Sequence, residues 1–223
     1  ALASHVRRLL LADVAVRRDL PDSVHQMRVA ARRLRSLLRT FGPIVDAEWA
    51  AALREELSWL ADELGAIRDT EVMQTRLDRH AADLGDPDGG LAHAVIDERL
   101  TARLSAARSS ALAALRSDRH TWLLDDLVSA VREPKVLDAA FNPTLEVLPQ
   151  HVRRAWKAFG EAAGALELDA PSERWHQARI KAKRARYAVD SLVAVTGPRV
   201  RQFALALAEA TDLLGEHQDA AVA

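Results

Sequence analysis

The chain has no cysteine, which excludes disulfides and thiolate metal sites and leaves the redox compartment open. Aromatic residues make up only 4% of its 223 positions. Alanine, leucine and arginine dominate, no stretch alternates apolar and polar residues with period two, and the intrinsic preferences favour helix over strand. No apolar run approaches the roughly 18 residues that span a bilayer, and the N-terminus lacks an apolar core followed by a cleavage site. A cytoplasmic protein with no membrane partner is the expectation. Catalytic signatures are absent too: there is no Gly-rich phosphate loop ending in Lys-Ser/Thr, no Gly-x-Ser-x-Gly and no His-x-x-x-His pair. The expectation is therefore no catalytic residue, no metal and no cofactor.

What is present is enough apolar material, 49% of residues, for a substantial core in one domain of 223 residues. The net charge of -1 argues against a uniformly basic nucleic-acid binder, but the charges are segregated along the chain. Residues 25–39 hold Arg28, Arg32, Arg33, Arg35 and Arg39 with no acid, and residues 174–189 hold Arg174, Arg179, Lys181, Lys183, Arg184 and Arg186 with none. Residues 46–71 are strongly acidic. Segregation of this kind creates a local positive field on a nearly neutral molecule.

The two basic segments are copies. Residues 25–35 read HQMRVAARRLR and residues 176–186 read HQARIKAKRAR, an offset of 151. His-Val-Arg-Arg precedes each copy, at His5 to Arg8 and His151 to Arg154. Each is followed by a Gly-Pro stop, at Gly42-Pro43 and Gly197-Pro198, and then by Leu-Gly-x-x-x-Asp, at Leu64 to Asp69 and Leu214 to Asp219. Four matches in one order mark an internal duplication, with a first repeat over about 1–132 and a second over 144–223.

Gly, Pro and hydrophobic spacing predict helices over about 2–19, 23–41, 47–64, 69–84, 88–116, 120–132, 144–164, 172–196 and 199–214. Pro21-Asp22-Ser23 and Pro171-Ser172 read as caps, and Gly42 and Gly197 as C-terminal stops. Residues 133–149 read as the joint. Only Ala220 to Ala223 follow the second Leu-Gly-x-x-x-Asp, so the second helical bundle is expected to be incomplete. The five tryptophans are expected to fill core space.

Within the first repeated helix, Val24, Met27, Ala31, Leu34, Leu38 and Phe41 form one apolar stripe. His25, Arg28, Arg32, Arg35 and Arg39 repeat that spacing one residue, or about 100°, away. The second copy has Trp175, Ala178, Ala182, Ala185, Val189 and Leu192 as its stripe and His176, Arg179, Lys183 and Arg186 as its row. The cations thus lie on the shoulder of a buried face, about one turn apart. Like charges so spaced destabilise an isolated helix by a few tenths of a kcal/mol per pair, and two such rows facing a shared phosphate polyanion would resolve the repulsion. Pairing with the acidic segment 46–71 is the structural alternative.

The segments HQMRVAARRLRSLLRTF and HQARIKAKRARYAVDSL, with the two Leu-Gly-x-x-x-Asp elements, resemble the twin signatures of CHAD domains, the conserved histidine α-helical domains. The likeness covers nearly the whole chain. It implies an all-α fold of two pseudo-twofold-related antiparallel four-helix bundles flanking a basic central groove or pore. It also implies binding of inorganic polyphosphate and association with polyphosphate granules. Carried over by position, the binding residues would be His25, Arg28, Arg32, Arg35, Arg39, His176, Arg179, Lys183 and Arg186, supported by Arg7, Arg8, Arg153 and Arg154. The chain departs from the pattern at Asp190, which stands opposite Arg39. A phosphoanhydride-processing enzyme would need acids around a divalent ion. A nucleic-acid-binding module would need exposed aromatics to stack bases, and few are available.

Overall fold

The structure, a computed structural model, describes the backbone of residues 1–223 except 84–87, 143, 168, 194–197 and 222–223, and also leaves out the side chains of 88, 89, 92, 144–148, 151, 191 and 216–221. The expected C-terminal stop at Gly197 and the side chains of His151, His217 and Asp219 lie outside the described residues. The described chain is all-helical. Nine α-helices follow one another: α1 Leu2–Arg17, α2 Ser23–Thr40, α3 Ala47–Glu63, α4 Gly65–Asp83, α5 Asp88–Leu115, α6 Asp118–Arg132, α7 Thr144–Gly164, α8 Ser172–Leu192 and α9 Pro198–Ala221. Short 3₁₀ turns occupy Gly42–Ile44 and Asp138–Phe141. Extended pairing is confined, among the described residues, to an antiparallel bridge of Val45 with Val136. The Leu137 N–H donates to Ile44 (2.9 Å) and the Asp46 N–H to Lys135 (2.8 Å) beside it.

Local chemistry differs from expectation at several helix ends. Asp22 precedes α2 with φ 58°, a left-handed conformation that Asp tolerates better than most residues. Its carboxylate accepts from the Gln26 side chain (2.7 Å) instead of from a backbone N–H. Ser172 already belongs to α8, no side-chain cap forms at Pro171, and the Pro171 carbonyl takes the Arg174 N–H (2.9 Å). Pro149, read as part of the joint, sits inside α7. The helix after the first Leu-Gly begins at Gly65 rather than 69, and α9 runs on through the second Leu-Gly to Ala221.

Contacts group the chain into two compact units. One comprises residues 2–35 and 52–133, the other residue 1, 36–51 and 134–223. The division falls inside α2, at Ser36. In the first unit Leu9, Leu34, Leu57, Leu60 and Leu127 are fully buried. In the second, α8 packs between α7 and α9 through Ala185, Val189, Ala204 and Leu207, with Val152 and Phe159 against them. The tryptophans divide: Trp122 is 65% exposed and Trp156 41%. The Trp156 ring is held edge-on by Phe159 and Phe203, with centroids at 5.7 and 4.9 Å.

The first unit also encloses a charged group. Asp13 of α1 and His120 of α6 are buried. His120 Nε2 lies 2.9 Å from one Asp13 oxygen, and Arg17 Nε donates to the other at 2.8 Å. Burial works against ionisation of Asp13, yet the hydrogen bonds from His120 and Arg17 prevail and hold its carboxyl below the usual carboxylate range. Removing one partner strands the other in a dry interior. His120→Ala is therefore expected to lower unfolding free energy by roughly 3 kcal/mol or more, read from urea denaturation; a loss under about 0.5 kcal/mol, the scale of a surface change, would show the pair to be incidental.

Candidate functional site

The apolar stripes form as the spacing predicts. Met27, Ala31 and Leu34 of α2 and Ala178, Ala182 and Ala185 of α8 are fully buried, while Phe41 and Trp175 are half-buried. The row beside each stripe is less uniform than its spacing. Arg28 turns to its own unit: its Nη1 donates to the Ala61 carbonyl at 2.6 Å and lies 3.2 Å from where a Cβ on Gly65 would stand. That carbonyl is the i−4 acceptor a continuous helix would offer to Gly65. The guanidinium thus binds at the boundary between α3 and α4. The duplicated pair repeats the contact, with Arg179 Nη2 3.3 Å from the Cβ position of Gly215.

Arg186 is likewise committed. It donates to Thr211 Oγ1 at 2.9 Å and lies 3.7 Å from Asp212 and 3.9 Å from Asp190, so two carboxylates share its charge. Arg39 and Lys183 each have a hydrogen-bonding or electrostatic neighbour. Arg32 is exposed, Arg35 and His176 are half-buried, and Arg7, Arg8, Arg153 and Arg154 are exposed. The acidic segment supplies partners elsewhere: Glu71 pairs with Arg68. Glu56 binds Arg119 through two hydrogen bonds, 2.7 and 3.0 Å, while that guanidinium covers the Trp59 ring at 4.4 Å.

Cations instead converge on the other shoulder of α8. In the second unit a pocket of about 260 Å³ is lined by Arg39 from α2, Arg154 from α7, and Lys181 and Arg184 from α8, with Ser36, Thr40 and Ala158 between them. No acid is present among its described lining residues. Arg39 and Arg154 belong to the expected set, whereas Lys181 and Arg184 were not singled out. Their signal was there, as cations three residues apart in an acid-free run; what a single helix does not reveal is that α7 and the end of α2 bring two more cations to that shoulder. Arg174 continues it into a neighbouring pocket with Gln177 and Lys181. Glu173 and His176 have Glu-x-x-His spacing, but the carboxylate accepts from Gln177 (2.8 Å). Among the described residues no group of three His, Asp or Glu side chains could hold a metal ion, and no helix is long and apolar enough to cross a membrane.

The family model for the CHAD domain matches residues 1–223. This chain belongs to the CHAD domain family. It is 37% identical over 237 residues to the uncharacterized protein Rv2226 of Mycobacterium tuberculosis H37Rv, and 36% identical to a second uncharacterized protein, MT2285, of strain CDC 1551. All of this chain is covered in each case, but it spans only 43% of the length of those relatives. Its fold is similar to that of the CHAD domain from the plant Ricinus communis, with a TM-score of 0.70, 28% identity, and 98% of this chain against 72% of the other covered. It is also similar in fold to PptA from Streptomyces chartreusis, with a TM-score of 0.74, 24% identity and coverage of 99% and 82%.

Neither His5 nor His25 of this CHAD domain is a fixed positive charge. Burial, reinforced by Arg8 and Arg33, pushes His5 down to about 4. Burial and Arg68 lower His25 against the opposing pull of Asp22. A folded His5 that resists protonation leaves the unfolded chain to take up the proton first, near the ordinary value of about 6.5. Stability is then undiminished above that pH and falls as pH drops from about 6.5 toward 4. His5→Gln is expected to flatten the fall in Tm over this interval; an unchanged profile would show that His5 does not contribute. At neutral pH, Arg28→Ala is expected to cost about 1–3 kcal/mol through the orphaned Ala61 carbonyl. The exposed Arg32→Ala should stay within about 0.5 kcal/mol, both by chemical denaturation.

Proposed function

We propose that this CHAD domain binds inorganic polyphosphate and does not process it. One observation carries the reading: Arg154, Lys181 and Arg184 line a single pocket together with Arg39, and no carboxylate is among its described lining residues. Four like charges drawn together from three helices repel one another, and an anion with several closely spaced negative charges relieves that repulsion. Guanidinium forks match phosphoryl oxygens and stay charged at any cellular pH, while lysine adds a point charge of adjustable reach. The resemblance of the repeated helices to CHAD signatures points to the same ligand and to association with polyphosphate granules. Within the reading, Arg28, Arg179 and Arg186 hold the repeated helices in place, and the ligand is met by Arg39 and Arg154 together with Lys181 and Arg184.

The test is polyphosphate binding by the triple variant Arg154→Gln, Lys181→Gln, Arg184→Gln. Each exposed charge-assisted contact contributes about 1 kcal/mol once solvent screening is allowed for. The expected loss is therefore about a hundredfold in Kd, with helicity unchanged by circular dichroism. The slope of log K against log salt should become shallower by about 2 to 3, since each neutralised phosphate contributes somewhat less than one unit. Undiminished retention of polyphosphate would overturn the site, and phosphate release in the presence of magnesium would overturn a purely binding role.

A further inference from the structure

The duplication places a second pair of arginines, one of them a supporting residue that the CHAD resemblance implies, outside the pocket proposed for polyphosphate. Arg8 and Arg33 are the repeat counterparts of Arg154 and Arg184, at the same two offsets that align the preceding His-Val-Arg-Arg and the repeated helix. In the first unit they line a cleft of about 520 Å³ between α1 and α2, together with Leu11, Ala12, Val29 and Ala30. This cleft is a repeat-related relative of the cation pocket with its chemistry altered. Ala30 stands where the other copy has Lys181, a lining residue of that pocket. Charge has been withdrawn and apolar surface put in its place. The two arginines remain, and Arg33 Nε is shut away from solvent with no hydrogen-bond partner. Beside them His5 Nδ1 is also buried without a partner.

We infer that the cleft between α1 and α2 binds a small organic phosphomonoester, its phosphate held between Arg8 and Arg33 and its apolar body laid against Leu11, Ala12, Val29 and Ala30. Two guanidiniums match the charge of one phosphate dianion, which at neutral pH carries about -1.5 to -2. They fall short of what a long chain of phosphates would require. Arg33 lines the cleft, and a guanidinium offers forked donors that match phosphate oxygens. The apolar wall has no use for inorganic phosphate and does have one for a ring or alkyl group.

The experiment titrates the intact chain with phenyl phosphate and, separately, with inorganic phosphate, following backbone amides by NMR. Phenyl phosphate is expected to bind about tenfold more tightly, the scale of one buried apolar group, and to shift the amides of Ala12, Val29 and Ala30. Arg33→Gln and the surface variant Arg8→Gln should each abolish those shifts. Leu11→Ser, at a residue 60% exposed, should narrow the difference between the two ligands. The variant Arg154→Gln, Lys181→Gln, Arg184→Gln should leave phenyl phosphate binding intact, which separates this site from the polyphosphate pocket. Equal affinity for both ligands, shifts confined to residues 134–223, or binding that survives both Arg8→Gln and Arg33→Gln would overturn it.

Discussion

A guanidinium resting against a glycine is the contact on which each repeat is built. Arg28 lies against Gly65 and Arg179 against Gly215, and both pairs come from the two motifs that the duplication preserves. Neither glycine is there for a left-handed turn, since both sit in helix. What each supplies is the absence of a side chain, so that an arginine from the neighbouring repeated helix can lie close. Glycine in a helix costs about 1 kcal/mol relative to alanine; in the first copy a charged hydrogen bond to the Ala61 carbonyl is of the size to offset it.

This contact changes what the row of cations means. A ladder of arginines on one helix looks like a single electrostatic object, yet its members have separate employments. Arg28 takes a carbonyl, Arg179 a glycine surface, and Arg186 two carboxylates and a hydroxyl. Part of the row's charge is thereby engaged inside the fold, at Arg28 and Arg186. Further cations gather one shoulder over, at Lys181 and Arg184, where α7 and the end of α2 add others.

The helical class, the duplication and the buried stripes were legible because they depend on composition and on a period that one helix carries by itself. Met27, Ala31, Leu34 and their counterparts are buried because the 3.6-residue repeat leaves them nowhere else to face. The end of α3 near residue 64 was legible, but the immediate restart at Gly65 was not, because the residues around it are engaged by a side chain 33 positions earlier in the sequence. Trp122 was misread as core because large aromatics are buried on average, whereas here α6 presents it outward. The cation pocket was half legible: Arg39 and Arg154 stood in recognised motifs, but Lys181 and Arg184 gain their significance only from helices that approach in three dimensions.

The passage of α2 from one compact unit to the other at Ser36 bears on how this chain could be dissected. Cutting between residues 133 and 134 would look natural on paper, at the end of the first repeat. It would leave the C-terminal fragment without residues 36–51, and with them Arg39 and the strand-like partner of Val136. The N-terminal fragment would keep all of α2, but residues 36–51 would lose the rest of the unit they belong to. The first repeat thus lends residues 36–51 to the unit that the second repeat builds, so a cut at the end of the first repeat divides a unit rather than separating two.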